Sequence, residues 1–226
     1  MLRTEDKYLI SYEDYMLLRH RLNQILPHDN NNPNQQYKIS SVYFDDINDS
    51  DYWSSIYGNP IRSKFRVRMY DDNPCFIKLE KKTKIYNQCK KDSCRISLEQ
   101  FHHLLNGEID LSFVGEKDSL QLFLAFRMRE LVPKVIVSYM REAFVYPTGN
   151  VRITFDMDMM YSIHCESFGA SKENYYHAED KGIVMEVKYD QLMPNFLISI
   201  LDISHLNVVS NSKYCICREL AGRGYL

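Results

Sequence analysis

KFRVRMYDDNPCFIKLEKKTK, residues 64–84, is the stretch that decides how this chain folds. Two alternating runs flank the turn residues Asp71, Asp72, Asn73 and Pro74, which marks the stretch as a β-hairpin. Side chains alternate faces along a strand, so Phe65, Val67, Met69, Ile77 and Leu79 share one side, an ordinary apolar core face. Lys64, Arg66, Arg68 and Tyr70 share the other side with Lys78, Glu80, Lys82 and Lys84. Like charges opposite one another on paired strands are unfavourable, so a row of cations broken by one carboxylate points to an anion held against it. The competing reading is a charged edge that simply meets water.

The pattern recurs outward from the hairpin. Arg3, Glu5 and Lys7 hold odd positions at the start of the chain with Leu2, Tyr8 and Ile10 among the even ones, Arg152, Thr154, Asp156 and Asp158 oppose Val151, Ile153, Phe155 and Met157, and Glu186 and Lys188 oppose Ile183, Met185 and Val187. Tyr37–Asp45 is a further strand, and Val135–Tyr146 pairs with Val151–Met159 around the turn Pro147–Asn150. Ser11 caps a helix whose apolar stripe runs to Pro27, and Ser97 and Gln100 form a capping box for a short helix that ends near Gly107. Helical patterns follow at Lys117–Leu131 and Leu192–His205, with Pro194 expected in the first turn of the latter. A Ser or Asn before Lys213 caps a last helix. The stretch from Asp46 to about Asn59 reads as an irregular connection, the segment bearing Lys90, Lys91 and Arg95 as a polar, basic run, and Phe168–Lys181 as a loop.

Composition narrows the function. With 226 residues, 45% hydrophobic and 26% charged, the chain is an ordinary globular protein, expected to form a single domain over 1–226. A net charge of -2 excludes a generally basic, nucleic-acid-coating surface, so the cations must be concentrated locally, in a pocket. The six cysteines have neither zinc-ribbon nor disulfide-scaffold spacing and are expected as reduced thiols, and the histidines show no ligand spacing. No cleavable signal and no apolar run approaching about 18 residues is present. The expectation is a cytoplasmic protein, with docking at the inner face of a membrane left open.

An antiparallel sheet that closes on itself turns one face inward all round, and an α+β barrel with a charged lumen satisfies all these strands at once. Unpaired buried cations are costly, so such a lumen must be wet and must hold anions. Interleaved Arg and Lys suit phosphates, and a chain of them better than one. The carboxylates Glu5, Glu80, Asp156 and Glu186 are candidates to hold Mg²⁺ or Mn²⁺.

Arg3-x-Glu5-x-Lys7-Tyr8, Ser41–Asp45, Lys64–Arg68, Lys78-x-Glu80-x-Lys82, Tyr139-x-Arg141, Val151–Asp156, Glu186–Tyr189 and Ser212–Tyr214, in that order, resemble the polyphosphate polymerase domain of the vacuolar transporter chaperone (VTC) family. That family belongs to the triphosphate tunnel metalloenzymes. The resemblance implies an eight-stranded antiparallel β-barrel tunnel flanked by helices, with ATP and inorganic polyphosphate as ligands, a membrane-protein partner for export of product, and Mn²⁺ or Mg²⁺ as cofactor. It implies a phosphate-binding set of Lys7, Arg66, Arg68, Lys78, Arg141, Arg152 and Lys213 with Tyr139 beside them, Glu186 as metal ligand, and Lys82, Glu80 and Lys188 as secondary candidates. The broader tunnel signature is Glu-x-Glu-x-Lys; here Arg3 stands where the first Glu would be, a change the VTC branch accommodates.

The implied reaction is transfer of the γ-phosphate of ATP to a growing chain. Arg66, Arg68, Arg141 and Arg152 neutralise developing charge, and Lys7, Lys78 and Lys213 grip donor or product. Two alternatives stay open: a hydrolase of the same fold, with Glu5 positioning water, and a polyphosphate-binding module without turnover.

Overall fold

A computed structural model describes residues 3–29, 35–86, 88–108, 117–169, 174–178, 182–202 and 206–223. In chain order the elements are β1 (Arg3–Ile10), α1 (Tyr12–Asn23), β2 (Gln36–Asp45), α2 (Ser50–Ile56), β3 (Ile61–Tyr70), β4 (Ile77–Ile85), β5 (Gln88–Ile96), α3 (Leu98–Leu105), α4 (Lys117–Met128), β6 (Val132–Tyr146), β7 (Val151–Ser162), β8 (Tyr176–His177), β9 (Ile183–Tyr189), α5 (Asn195–Leu201) and α6 (Lys213–Arg223). The strands run β6-β2-β3-β4-β5-β1-β9-β7, and β7 returns to β6, which closes an antiparallel eight-stranded barrel. The two-residue β8 is a short addition on β7.

Alternation sorts the residues between the two faces. Outward-facing Phe65, Val67 and Met69 of β3 and Ile77 and Leu79 of β4 are buried under Phe101 and Leu104 of α3 and Phe123 and Phe126 of α4. On the opposite flank Tyr15, Leu18 and Leu22 of α1 and Leu197 and Leu201 of α5 cover Tyr8, Ile153, Phe155 and Met185. Burying side chains of this size contributes roughly 1.5–3 kcal/mol each, which anchors both helical layers. The third cluster lies on the inner face: Tyr37, Ile39 and Tyr43 of β2 and Val135, Val137 and Tyr139 of β6 pack against Tyr214, Cys215 and Cys217 of α6. The last helix therefore seals part of the lumen.

One seam is thin. β1 meets β5 at two residue pairs, Arg3 with Cys89 and Thr4 with Gln88. Beyond them the segment before α6 lies along β1, where the Val209 amide donates to the Lys7 carbonyl at 2.8 Å and Tyr8 bridges Val208.

Several sequence expectations need correction. The stretch after Asp45 contains a helix, α2, because the carboxylates of Asp45 and Asp46 accept hydrogen bonds from the amides of Asp51, Tyr52 and Ser50 and so cap its first turn. The basic run Lys90–Arg95 is strand, held to β4 along its length by pairs from Ile77–Ile96 to Ile85–Gln88. α1 stops at Asn23, short of Pro27. α5 begins at Asn195, with Pro194 outside it as the N-cap at ψ 136°; His205 lies outside the described residues. The expected loop Phe168–Lys181 carries β8, and its residues 170–173 and 179–181 lie outside the described residues.

Burial beside α2 pushes the Asp51 carboxyl up to about 6, with Asp45 and Asp46 adding to the rise against the Arg129 guanidinium 2.9 Å away. The folded protein keeps this proton up to about pH 6 while the unfolded chain releases it near 3.8. Stability from this group is therefore present at low pH and falls as pH rises across that interval, by about 3 kcal/mol in all. Asp51→Asn is expected to remove most of that fall. Urea unfolding at pH 4 and pH 7.5 measures it, and an unchanged pH difference in the variant would contradict the assignment.

Candidate active site

The inner face encloses a cavity of about 710 Å³. Its wall carries ten cations, from Lys7 and Arg62 to Lys188 and Lys213, against the four carboxylates Glu5, Asp6, Asp156 and Glu186. The lining side chains carry six more positive than negative charges, five once Glu80, the buried counter-ion of Arg66, is included, an excess that favours an anion bearing several charges.

Cross-strand register brings the groups together. Arg66 lies opposite Glu80, Lys64 opposite Lys82, Lys7 opposite Glu186, Glu5 opposite Lys188, and Arg141 opposite Asp156. Three charged clusters result. In the first, Glu5 accepts from Lys82 at 2.5 Å and stands 3.8 and 3.6 Å from Lys7 and Lys188, which in turn lie 3.8 and 3.0 Å from Glu186. In the second, Arg141 grips Asp156 with two bonds of 2.6 and 2.7 Å, and Lys213 reaches the same carboxylate at 2.7 Å. In the third, Arg66 donates to Glu80 at 2.8 and 2.7 Å, with Lys91 on the other Glu80 oxygen at 3.1 Å. Arg68 donates to the hydroxyls of Ser41 and Tyr139, both at 3.1 Å.

These clusters fix the protonation states. Burial opposes charge on Glu186, yet Lys188 and Lys7 hold it well below the usual carboxylate range. Asp156 and Glu80 are likewise held down against burial by Arg141 and Arg66. Burial brings the Lys7 ammonium down to about 8, with Lys82 and Lys213 pushing the same way, and burial also lowers Lys64 and Lys188. Lysines in this condition gain from an incoming anion.

All the sequence-derived site residues line the cavity except Lys78, Arg152 and Glu80. Glu80 is fully buried behind Arg66 as its counter-ion. Arg152 pairs instead with Asp29 and the Tyr37 hydroxyl, at 2.5 and 2.8 Å. The Lys78 ammonium lies over the Phe76 ring, 4.7 Å from its centre. The residue list drawn from sequence lacks Tyr43, whose hydroxyl accepts from Arg66 at 3.2 Å, Lys64, which donates to Ser212 at 2.6 Å, and the Asn211 carbonyl, which accepts from Lys7 at 2.8 Å. Tyr43 shares strand parity with Ser41, a signal that was available; a main-chain acceptor leaves none.

Glu5 and Glu186 fit a Mg²⁺ or Mn²⁺ ion. They are two hard-oxygen groups that face the cavity and share Lys7 and Lys188, and Mg²⁺ commonly takes one or two carboxylates plus substrate phosphates. Among the described residues no group of three or more His, Cys, Asp or Glu side chains converges. A cation at Glu5 and Glu186 would displace single lysine contacts from them, whereas Asp156 is gripped by two Arg141 bonds and by Lys213, and Glu80 is fully buried outside the cavity.

The chain is thus a closed eight-stranded barrel with a cation-lined lumen into which Glu5 and Glu186 face. The chain belongs to the VTC domain family, whose model matches residues 2–221. No curated protein matches it. Solved structures share the fold at low identity. HpAC1 from Hippeastrum, assigned as an adenylyl cyclase and described as having a dominant triphosphatase activity, aligns at TM-score 0.58 and 14% identity over 96% of this chain and 95% of its own. The PH1819 protein of Pyrococcus horikoshii aligns at 0.54 and 11% over 98% and 99%, and a Bacillus halodurans protein assigned as an adenylate cyclase at 0.51 and 13% over 92% and 93%. Among the described residues no helix is long and apolar enough to cross a membrane.

Proposed function

We propose that the chain is a polyphosphate polymerase that transfers the γ-phosphate of ATP to the end of an inorganic polyphosphate chain and releases ADP. The observation that carries this reading is the excess of positive charge spread along one lumen, which suits a row of phosphates better than a single one. Arg66 and Arg68, side by side on β3, and Arg141 face the cavity and would neutralise the equatorial oxygens of the phosphoryl group in transfer. Lys7, Lys82, Lys188 and Lys213 would hold donor and acceptor in line, so that proximity and charge, without a covalent nucleophile, lower the barrier. Glu5 and Glu186 would hold a divalent cation, which supplies further charge neutralisation on phosphate oxygens. The acceptor phosphate is already anionic and needs no general base.

A second reading, a triphosphatase, is favoured by one observation: HpAC1, with the same fold, is described as a triphosphatase. Purified protein incubated with ATP and Mg²⁺ or Mn²⁺ separates the two by ³¹P NMR. Internal-phosphate resonances together with ADP are expected. Free phosphate without any chain would replace polymerase by hydrolase.

A further inference from the structure

Tyr43 stands in the cavity wall with its hydroxyl proton unspent. Its oxygen accepts a hydrogen bond from Arg66 Nη1 at 3.2 Å, and no acceptor for its own O–H is found among the described residues. The ring cannot turn away, because it stacks on Tyr214 of α6 at 5.1 Å and 22°, and Tyr214 is itself fixed by donating to Asp45 at 2.8 Å. A tyrosine hydroxyl both accepts and donates, so accepting from Arg66 leaves its O–H free to donate elsewhere. The residue is nearly buried, at 6% exposure, and yet lines the cavity.

We propose that Tyr43 is a further substrate-contacting residue: its hydroxyl donates a hydrogen bond to a phosphate oxygen of the bound chain, beside the Arg66 guanidinium that contacts the same group. The proton stays on Tyr43 throughout. This rests on the reading of the lumen as an oligophosphate site and names a donor within it. Lysines supply charge that an anion of any shape can use; the planar arginine forks, and a neutral donor fixed by stacking beside one of them, supply direction.

The groups around the phenol predict how it titrates. Lys64, Arg66 and Arg68 approach from β3 and Tyr214 from α6, while β6 presents apolar Val135 across the strand and Glu80 stands behind Arg66. Burial opposes ionisation of Tyr43, but Arg66 and Arg68 outweigh it and bring its pKa below the usual phenol value. Once ionised, Tyr43 would accept where it must donate, and would repel phosphate.

Calorimetric titration with inorganic tripolyphosphate across pH 6–10 tests this on wild type, on Tyr43→Phe, which keeps the stack, and on protein carrying a more acidic fluorotyrosine at position 43. Tyr43→Phe should weaken binding by about tenfold near pH 7, the loss of one hydrogen bond to a charged group. The fluorotyrosine protein should bind like wild type at pH 6.5 and lose affinity at a lower pH than wild type as pH rises. Binding by Tyr43→Phe within twofold of wild type, or an alkaline limb unmoved by fluorination, overturns the assignment and leaves the oligophosphate site standing. Failure of wild type itself to bind tripolyphosphate overturns both.

Discussion

Arg66→Ala is expected to lower kcat/KM for phosphoryl transfer by about 10³-fold and to destabilise the fold by about 3–5 kcal/mol. Both effects have one origin. Arg66 spends Nε and Nη2 on the fully buried Glu80, which would keep only Lys91, itself half exposed, as a partner. The same guanidinium presents charge to the cavity and holds the Tyr43 hydroxyl. The double variant Arg66→Met with Glu80→Gln separates the two roles, because it removes the orphaned carboxylate along with its partner. Chemical denaturation should return it to within about 1–2 kcal/mol of wild type while transfer stays lost. Recovery of transfer in the double variant would show that Arg66 serves only to neutralise Glu80.

Glu186→Gln is expected to act in opposite directions on two readouts. Metal-stimulated turnover should fall by about 10²–10³-fold, the size of effect seen when one preorganised electrostatic group is removed from an active site. Metal-free affinity for tripolyphosphate should instead rise, because Lys188 and Lys7, now 3.0 and 3.8 Å from Glu186, lose one of their two carboxylate partners, Glu5 being the other, and become more available to phosphate. Parallel titrations with and without Mg²⁺ decide it. A variant that weakens metal-free binding would show that Glu186 orders the lysines and contributes nothing specific to metal.

The faces of the lumen were legible wherever alternation was clean. In Lys64–Lys84 every apolar residue on the odd positions packs outward under α3 and α4, and Lys64, Arg66, Arg68, Lys82 and Lys84 line the cavity. Periodicity carries that information because a barrel strand has one wet and one dry side. β5 broke the rule: Lys90, Lys91 and Arg95 place cations on both faces of an exposed strand, so no dry side appears in its sequence. α2 was hidden for a different reason, since its start is stabilised by Asp45 and Asp46 from the preceding strand and loop and not by a cap at its own Asp49. Among site residues, strand parity marked Arg152 and the family resemblance marked Arg141, but which carboxylate each meets depends on the barrel's closure. Arg141 falls to Asp156 and the cavity, Arg152 to Asp29. Pairings of that kind join residues 15 and 123 positions apart, and no local pattern encodes the longer one.

The central claim is that the lumen is a site for a row of phosphates, and the most direct measurement is calorimetric titration of the purified protein with orthophosphate, pyrophosphate and tripolyphosphate at fixed ionic strength. Affinity should climb steeply with each added phosphate and weaken as salt is raised, because each unit engages further members of the Arg and Lys set. Equal weak binding of all three, or none, would contradict the account and return the charged lumen to a set of internal ion pairs.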